Sequence, residues 1–429
     1  MKKKVYTWIL ISVVLLSCTA LVIVNQHRLQ SSQATNRQAV LTANKPLTDK
    51  VGGFVWLYGY KKGSTRNRDY IKSQVIAAHS THLHYVVISI LFNNKYVNKG
   101  KFDFEEFDFA MKTIKENGLV PIVVFSSNDS VDANEYAKNK RAVLNKYERL
   151  IRSVIIKYRD HGVIWQMWNE PNGLFWFNQS NSGTNAAQVR TWVDFNAKIF
   201  AYVRRYDPNS VFLAGAIAGN YSDSKQAMRL AIQNHITKYG DALANHPYLS
   251  SSYPDNGAPE NLLKLNSRKF LLSLTADNSK KAVRSIPLVT TEMGYSMSKS
   301  HFGSWSEEDQ SNYLARSIFV LDMMHQPIIS LYALVDEKNG SGEWGLYKGM
   351  SPHYVSKQSA RLISQLLSNL DGYSFDERLH SDTRDFVLKY KKNGQRDRIV
   401  CWTMDDDHVL KVSGQTVLVT KTPQIVYEK

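Results

Sequence analysis

The sequence predicts an α/β protein whose main domain is a (β/α)8 TIM barrel, with a small C-terminal antiparallel β-domain and an N-terminal transmembrane anchor. From Val51 onward, short apolar segments rich in β-branched residues alternate with longer amphipathic segments. Such alternation is typical of parallel strands connected by helices. A doubly wound open sheet usually carries a glycine-rich phosphate loop after its first strand, and the sequence has none there. Gly52-Gly53 instead precede the first predicted strand and indicate a turn.

Eight strands are predicted within residues 51–370, and the segments between them are long enough to form helices. The carboxyl ends of all strands open on one face of such a barrel, where active sites lie. The predicted strands are Phe54–Tyr58, His84–Leu91, Leu119–Ser126, Val163–Asn169, Val211–Ala218, Ala242–His246, Pro287–Glu292 and Ile328–Val335. The amphipathic segments include Phe104–Asn117, Asn134–Tyr158, Ala187–Tyr206, Ser224–Tyr239, Glu307–Met324 and Ser356–Leu370.

Residues 371–429 show a different pattern of short strands with alternating polarity. Asn393-Gly394 is a strong hairpin signal between two of these strands, and Ser413-Gly414 separates another pair. We therefore predict a small antiparallel β-domain after the barrel. Two roles remain open for this domain: a sugar-binding module, or a structural element that packs on the side of the barrel.

The N-terminal region predicts a membrane anchor. Three lysines precede the uncharged apolar run Val5–Val24, which is long enough to span a bilayer as a helix. We expect residues 1–28 to be a cytoplasmic stub and transmembrane signal anchor, and residues 29–50 to be a flexible tether. Two alternatives remain, a cleaved secretory peptide and a lipoprotein signal at Cys18. All three place the remaining chain outside the cytoplasm.

The charge of the chain restricts its partners. The sequence has 54 Lys and Arg against 38 Asp and Glu, a formal net charge of +16. This excess fits an anionic glycan or an anionic envelope surface as partner, and it also fits ordinary solubility. We expect no nucleic acid partner, because the sequence has no arginine-rich run or interleaved RNA-binding motif. With no Cys/His cluster at zinc spacing, we also expect no metal site.

The segment GVIWQMWNEPN contains the first candidate catalytic residue. The apolar run Val163–Trp168 ends in Asn169 and Glu170, and Pro171 then stops the strand. This pattern predicts a buried strand that delivers a carboxyl group to the edge of the sheet. The aromatic residues and methionine of the run would disfavour the charged form of Glu170. We therefore expect Glu170 to keep a proton that it can donate near neutral pH.

A second glutamate ends another predicted strand. Glu292 follows the apolar segment Ile286–Thr291, three strands further around the barrel than Glu170. Both carboxyl groups would therefore lie at the open end of the barrel, across its mouth from each other.

The two glutamates together resemble the signature of glycoside hydrolase clan A. The match over residues 51–370 is close to families 5 and 39, and most similar to bacterial exopolysaccharide-associated hydrolases related to family 39. This resemblance implies a retaining hydrolase that cleaves a β-linked polysaccharide by double displacement. It implies that Glu170 is the acid/base, that Glu292 is the nucleophile and that no cofactor is needed. A non-catalytic glycan-binding barrel and a transglycosylase remain as alternatives.

The resemblance also implies substrate-binding residues at other strand ends. Asn169 is similar to the clan's asparagine that binds the sugar 2-hydroxyl group. His246 and Tyr248, after the sixth predicted strand, are similar to a pair that lines the sugar site, and Tyr248 could donate a hydrogen bond to Glu292. Trp344 ends the polar loop after the eighth strand and could stack on a sugar ring. Weaker aromatic candidates are Trp56, Tyr58, Trp176, Phe177 and Trp305.

The second predicted strand departs from the family pattern. Related enzymes commonly have an arginine in the middle of this strand and a tryptophan near its end. Val87 and Phe92 stand at what look like those two positions. A missing arginine would change the charge balance around the nucleophile. This departure is what keeps the non-catalytic alternative open.

Overall fold

The computed structural model describes residues 37–92, 96–126, 135–136, 138–172, 185–219, 222–300, 302–337, 342–350, 353–379 and 383–427. Within these residues, eight parallel strands form a closed barrel. Helices follow the strands along the chain and cover the outside of the barrel. The predicted (β/α)8 barrel is therefore confirmed.

The eight barrel strands are hydrogen-bonded in the ring order β1-β8-β7-β6-β5-β4-β3-β2. They are β1 (Val51–Phe54), β2 (Tyr85–Leu91), β3 (Val120–Ser126), β4 (Ile164–Gln166), β5 (Val211–Ala218), β6 (Ala242–His246), β7 (Leu288–Thr290) and β8 (Ile329–Leu331). The main helices are α1 (Thr65–Ser80), α2 (Glu105–Glu116), α3 (Lys140–Tyr158), α4 (Ala186–Tyr206), α5 (Ser222–Gln233), α6 (Asp277–Ser285), α7 (Glu307–Met323) and α8 (Gln358–Asn369).

Shorter elements connect these strands and helices. A small hairpin, Val97–Asn98 and Lys101–Phe102, precedes α2. Short α-helices at Pro254–Gly257, Leu262–Leu265 and Arg268–Ser273 lie between β6 and α6. Single 3-10 turns occur at Leu47–Asp49, Ile236–Lys238 and Pro259–Asn261.

The first strand differs from its predicted position. It spans Val51–Phe54 and so contains Gly52-Gly53, which the sequence analysis interpreted as a turn. That interpretation is wrong, because Gly52 serves close packing inside the barrel. A Cβ atom on Gly52 would lie 2.7 Å from the Cβ of Tyr85 on β2, a separation that real Cβ atoms do not show.

Residues 37–50 close the amino-terminal end of the barrel. Val40 and Leu41, within a helical turn at 37–41, pack against the cluster of side chains inside the barrel. Lys45 Nζ donates a 2.7 Å hydrogen bond to the Tyr85 hydroxyl, and Leu47 is fully buried. This part of the predicted flexible tether is therefore ordered, because its apolar residues cover the barrel interior.

The predicted membrane anchor cannot be compared with the structure. Val5–Val24 and Cys18 lie outside the described residues. Over the part of the chain that the structure describes, no helix combines the length and the apolar character that crossing a bilayer requires.

The C-terminal part of the chain forms antiparallel sheets, which confirms the predicted β-domain. A hairpin of β9 (Tyr347–Met350) and β10 (His353–Ser356) precedes α8. After α8, a four-stranded sheet and a second hairpin form. The sheet has the order β11 (Ser374–Arg378), β12 (Asp385–Lys391), β13 (Arg398–Thr403) and β16 (Gln424–Tyr427), and the hairpin consists of β14 (His408–Val412) and β15 (Gln415–Val419).

The β-domain shares a buried core with the barrel. Trp402 on β13 stacks on Phe319 of α7, with ring centroids 5.9 Å apart. The Trp402 indole N–H also donates a 2.8 Å hydrogen bond to Glu260, whose carboxylate binds the buried guanidinium of Arg316. The domain is therefore held to the barrel by apolar packing and by buried polar contacts.

Candidate active site

Glu170 is positioned by an irregular segment after β4. The strand ends at Gln166, earlier than predicted, because Trp168 and Glu170 adopt positive φ angles of 64° and 47°. The Glu170 N–H donates a 3.1 Å hydrogen bond to the carbonyl oxygen of Ala216 on β5. This bond anchors the backbone of Glu170 on the neighbouring strand and directs its side chain to the mouth of the barrel.

The part of β5 that receives Glu170 is itself irregular. Its register shifts between Gly215 and Ile217, and Ala216 has a φ of 56°. Gly215 has a φ of 104°, and a Cβ atom there would lie 2.5 Å from the carbonyl oxygen of Ala244. Only glycine fits at this position, so the bulge depends on it.

Asn172 fixes the chain after Glu170. Its side-chain oxygen accepts a 2.8 Å hydrogen bond from the N–H of Ala218, and its nitrogen donates a 3.1 Å bond to the carbonyl oxygen of the same residue. These paired bonds tie the residues that follow Pro171 to the end of β5. Asn172 therefore helps to hold Glu170 in place without touching it.

Glu292 lies two residues beyond β7 and is 9 % exposed. Hydrogen bonds from the flanking N–H groups of Thr291 and Met293 to strand carbonyls fix its backbone. The Thr291 N–H donates to Asn245 O at 3.3 Å, and the Met293 N–H donates to Ser330 O at 3.1 Å. Backbone contacts to both neighbouring strand ends thus hold the carboxyl group at the mouth of the barrel.

His246 stands between the two carboxyl groups. Its Nδ1 lies 3.0 Å from Glu170 Oε1 and 3.9 Å from Glu292 Oε2. Its Nε2 lies 3.2 Å from the Thr291 hydroxyl. Within this group, a carboxylate oxygen of Glu170, one of Glu292 and a ring nitrogen of His246 all lie within 4.8 Å of one another. The two glutamates therefore converge on one place, as the sequence analysis expected.

Tyr248 contacts the carboxyl group of Glu292 directly. Its hydroxyl donates a 2.6 Å hydrogen bond to Glu292 Oε1, and its ring is buried. The ring of Phe302 stacks on Tyr248 with centroids 4.9 Å apart. A donor held this firmly favours the ionised form of Glu292.

A cavity of about 270 Å³ opens beside the two carboxyl groups. Asn169, Glu170 and Glu292 line one part of it, and apolar and aromatic residues line the rest. Its lining contains no Lys or Arg among the described residues. The other lining residues are Phe54, Val55, Trp56, Leu57, Tyr58, Ser89, Leu91, Ser126 and Tyr332.

Burial raises the pKa of Glu292 to about 7, and the negative charges of Glu170 and Glu337 act in the same direction. The charge of His246 and the hydrogen bond from Tyr248 act against this rise. Near neutral pH, Glu292 is therefore present in both its protonated and its ionised form.

The charge of His246 depends on both glutamates. Burial alone would lower the pKa of His246, but the negative charges of Glu292 and Glu170 outweigh burial and raise it. Ser89 and Leu91 are the residues of β2 that line the cavity, whereas Val87 lies in the barrel interior and Phe92 in the layer outside the strands. A basic side chain next to both carboxyl groups is therefore His246 of β6, whereas related enzymes commonly have an arginine on the second strand.

The apolar wall that the sequence analysis placed around Glu170 is not formed by the run before it. Trp165, Met167 and Trp168 belong to the buried layer between the strands and the helices. Trp165 Nε1 donates a 2.8 Å hydrogen bond to Asp207 at the end of α4. These side chains therefore face away from the mouth of the barrel, and the more buried carboxyl group is that of Glu292.

Trp344 does not line the cavity, in contrast to its expected role as a sugar platform. It is 8 % exposed and packs edge-on against Tyr248 and Tyr332, with centroids 5.6 and 6.0 Å away. Trp344 therefore packs behind Tyr332, which lines the cavity, and behind Tyr248, which binds Glu292. Trp305 is also buried, with its indole N–H bound to Asn256 O, whereas Trp56 and Tyr58 do line the cavity. Trp176 and Phe177 lie outside the described residues.

The sequence analysis missed several residues of the site. Tyr332 lies just beyond β8, lines the cavity and donates a 3.0 Å hydrogen bond to Glu337. Thr291 orients His246, and Asn172 anchors the segment after Glu170. Thr291 and Asn172 could have been predicted from the sequence, because they stand next to the two recognised motifs. Tyr332 could not have been, because the eighth strand was predicted to continue past it.

Three ligand atoms within 4.8 Å of one another could also hold a metal ion. The sequence analysis expected no metal, and the hydrogen bonds of the site account for each of the three side chains. Glu170 is hydrogen-bonded to His246, His246 contacts Thr291, and Glu292 accepts a hydrogen bond from Tyr248. These contacts already orient the carboxyl groups toward one point.

Comparison with known proteins links this site to a family. The family model described as cellulase (glycosyl hydrolase family 5) matches residues 44–330. This range includes both glutamates, His246 and Tyr248. No match to a curated protein was found.

Solved structures of glycosidases share the fold. A family 39 glycoside hydrolase from Bacteroides cellulosilyticus WH2 is similar with a TM-score of 0.65 and 16 % identity, covering 90 % of this chain and 82 % of that one. The GH51 α-L-arabinofuranosidase from Thermotoga petrophila RKU-1 has a TM-score of 0.59 and 13 % identity, with 86 % and 85 % covered. The family 1 β-glucosidase from Thermotoga maritima has a TM-score of 0.56 and 12 % identity, with 76 % and 99 % covered.

Proposed function

Because the chain belongs to glycosyl hydrolase family 5 within clan A, and is therefore a glycosyl hydrolase, we propose that it cleaves a β-linked polysaccharide with retention of configuration. The observation that carries this proposal is the separation of the two glutamates. One carboxylate oxygen of Glu170 and one of Glu292 lie within 4.8 Å of each other. Retaining glycosidases have carboxyl groups about 5–5.5 Å apart, whereas inverting ones need about 6.5–9.5 Å to admit a water molecule.

The proposed reaction proceeds in two displacements. Glu170 protonates the glycosidic oxygen while ionised Glu292 attacks the anomeric carbon, so that the C–O bond breaks and a glycosyl ester forms on Glu292. Glu170 then takes a proton from water, which attacks the same carbon and releases Glu292. The hydrogen bond that Tyr248 donates to Glu292 supports the role of Glu292 as the ionised nucleophile.

The cavity favours an uncharged sugar at the cleavage position. Its described lining holds two glutamates and no Lys or Arg, so an anionic sugar would find like charge there. The anionic substrate that the net charge allowed is thus not favoured at this position. Trp56, Tyr58 and Tyr332 offer aromatic faces for the apolar side of a sugar ring, and Asn169 offers an amide for its hydroxyl groups.

The names of similar proteins do not select the sugar. They include a β-glucosidase, an exo-β-1,4-mannosidase and α-L-arabinofuranosidases. We propose a cell-surface polysaccharide or exopolysaccharide as substrate. The apolar run Val5–Val24 supports a position outside the cytoplasm, as a membrane-anchored, secreted or lipid-modified protein.

Release of reducing ends tests the proposed hydrolase. The protein would be incubated with β-glucans, xylans, mannans and native exopolysaccharide. We expect reducing ends from at least one polymer, and a loss on the order of 10⁴-fold or more in Glu170→Gln and Glu292→Gln. Glu308→Gln on the exposed face of α7 is the matched control and should keep full activity. Equal rates in Glu292→Gln and the original protein would refute the assignment.

A non-catalytic glycan-binding barrel makes the opposite prediction. A 2-fluoro glycoside with a good leaving group should label Glu292 in a retaining enzyme, because the fluorine slows hydrolysis of the glycosyl ester. Mass spectrometry after proteolysis would locate the label. Stoichiometric label on Glu292 excludes a pure binder, whereas glycan binding with neither label nor hydrolysis would favour it. A transglycosylase would transfer the sugar to an added acceptor.

A further inference from the structure

The positive charge of the chain is concentrated on two neighbouring helices. Helix α3 carries six Lys or Arg and one Glu, and α4 carries four Lys or Arg and one Asp. Together they hold a net charge of +8, which is half of the +16 of the whole sequence. In contrast, α7 carries four acidic residues and one Arg. The excess charge therefore lies on one side of the barrel.

These cations lie in two outward-facing rows. One row of exposed positions on α3 and its C-cap recurs every three or four residues at 141, 145, 149, 152, 156 and 159, and one on α4 recurs at 190, 194, 198, 201 and 205. This is the spacing of one helical face. The basic face, as we name it, consists of Arg141, Arg149, Arg152, Arg159, Arg190, Lys198 and Arg205.

Few acidic side chains compensate the basic face. Glu148 binds Lys198, and Asp194 is the exposed carboxylate within the row on α4. Arg141, Arg149 and Arg190 form no ion pair with a described carboxylate. Between the two helices lies a groove of about 550 Å³ lined by Lys140, Arg141, Leu144, Asn145, Thr191, Asp194, Phe195 and Lys198.

Apolar groups accompany these cations. Ile156 is 36 % exposed and lies in the same row as Arg152 and Arg159. The Arg152 guanidinium lies over the rings of Tyr202 and Tyr206, 5.9 and 5.2 Å from their centroids. Arginine next to tyrosine and an exposed isoleucine suits the boundary between lipid headgroups and acyl chains.

The first described residue, Arg37, lies on this side of the barrel. The Arg37 side chain donates a 2.7 Å hydrogen bond to Pro208 O, two residues beyond the end of α4. The apolar run ends at Val24, 13 residues before Arg37. At no more than about 3.6 Å per residue, these residues reach roughly 45 Å. A bilayer that holds the run would therefore lie within reach of the basic face.

We propose that the basic face binds the anionic headgroups of a lipid bilayer and orients the barrel on it. The cavity opens at the carboxyl ends of the barrel strands, whereas Arg37 lies near the opposite end of the barrel. Docking through the basic face therefore leaves the mouth of the barrel free to bind a polymer. This function is separate from hydrolysis, since the face shares no residue with the cavity. Charge attraction to the lipid surface predicts dependence on anionic lipid and on salt.

A fluorescent probe on the basic face tests the proposal in the full chain. Ile156→Cys would be labelled with an environment-sensitive dye in a Cys18→Ser background, where the other cysteine, Cys401, is buried. The labelled protein would be mixed with vesicles of phosphatidylcholine alone or with phosphatidylglycerol added. We expect a blue shift of the emission only with phosphatidylglycerol, reversed by about 0.5 M NaCl. No shift with the anionic vesicles would overturn the proposal.

Charge variants identify the residues responsible. In the double variant Arg149→Gln with Arg152→Gln, the phosphatidylglycerol concentration that gives half of the shift should rise roughly 25-fold, or about fivefold per charge. Lys281→Gln with Arg284→Gln on α6 removes the same charge from another exposed helix and should change nothing. Equal effects of the two double variants would contradict a specific face.

Two further readings separate this proposal from its rivals. Flotation with neutral vesicles measures insertion of the N-terminal segment, and the hydrolysis assay measures the active site. A defect in either one is therefore distinguished from a loss of docking by the basic face. A shift produced by soluble polygalacturonate, but not by anionic vesicles, would show that the face binds an anionic glycan instead. That result would also refute lipid docking.

Discussion

The pKa of Glu292 sets the expected pH dependence of the enzyme. Burial raises this pKa to about 7, and the nucleophile must be ionised to attack. We therefore expect kcat/KM to rise with pH on an acidic limb centred near 7. Initial rates on the polymer that the protein cleaves, from pH 4 to 9, would show this limb. A rate already maximal at pH 5 would contradict it.

Two conservative variants should move that limb in opposite directions. Tyr248→Phe removes the 2.6 Å hydrogen bond that favours ionised Glu292, so the limb should move to higher pH and kcat should fall roughly 10-fold. Glu337→Gln removes a negative charge that raises the Glu292 pKa, so the limb should move to lower pH. Shifts in the same direction would mean that the limb does not report Glu292.

The same carboxyl group should destabilise the fold above neutral pH. Between its unfolded pKa of about 4.3 and its folded pKa of about 7, the folded state holds a proton that the unfolded chain has lost. Stability therefore decreases as pH rises through this window. Relative to the original protein, Glu292→Gln should be more stable at pH 8, by up to about 4 kcal/mol, and nearly equal at pH 4. Urea unfolding at both pH values would measure this difference.

At the scale of single residues, some members of the site could be predicted from sequence motifs, whereas others are identified only by their positions in the structure. The sequence was sufficient to pair Glu170 with Glu292 and to bring Tyr248 next to Glu292, because each follows a recognisable strand. It was not sufficient for Trp344 or Tyr332. Whether an aromatic ring faces a cavity or supports it depends on where the strand ends, and β8 ends at Leu331.

The irregular end of β5 is an element on which catalysis should depend. Gly215→Ala would place a Cβ atom 2.5 Å from Ala244 O at a φ of 104°, so the bulge that binds the Glu170 N–H must shift. We expect a loss of at least about 2 kcal/mol in the free energy of unfolding, together with a fall in kcat.

Gly118→Ala is the matched control for this substitution. Gly118 also has a positive φ, of 70°, but its Cβ position has no atom within 4 Å. It should lose only about 1 kcal/mol and keep its kcat. Similar losses of activity in the two variants would argue against a role for the bulge.

Secondary structure followed the sequence most closely where periodicity was long. The helices α2, α4 and α7 begin and end within a residue of their predicted bounds. The strands β4, β7 and β8 are shorter than predicted, because their apolar residues continue beyond the last residue of the regular strand. Hydrophobic pattern reports burial, whereas strand length also depends on backbone turns such as those at Trp168 and Glu170.

A buried polar network joins the whole molecule. Lys50 before β1 pairs with Asp322 of α7 at 2.5 Å, and Tyr390 of the β-domain donates a 2.8 Å hydrogen bond to the same carboxylate. All three side chains are almost completely buried. No sequence signal predicts this network, because its members are far apart along the chain and belong to three different elements.

Breaking this network tests how firmly the β-domain is joined to the barrel. Asp322→Ala leaves the Lys50 ammonium buried without its partner and should cost about 3–5 kcal/mol. Tyr390→Phe removes one hydrogen bond and should cost about 1 kcal/mol. Calorimetry should show one transition for barrel and β-domain together in the original protein. Two separate transitions would show that the two parts fold independently.

The account rests on two carboxyl groups acting on opposite sides of one anomeric carbon, and the configuration of the first product tests this most directly. Proton NMR during early hydrolysis of a cleaved polymer would identify the anomer released before mutarotation. The separation of Glu170 and Glu292 predicts the β anomer from a β linkage. Initial release of the α anomer would contradict double displacement and the roles assigned to both residues.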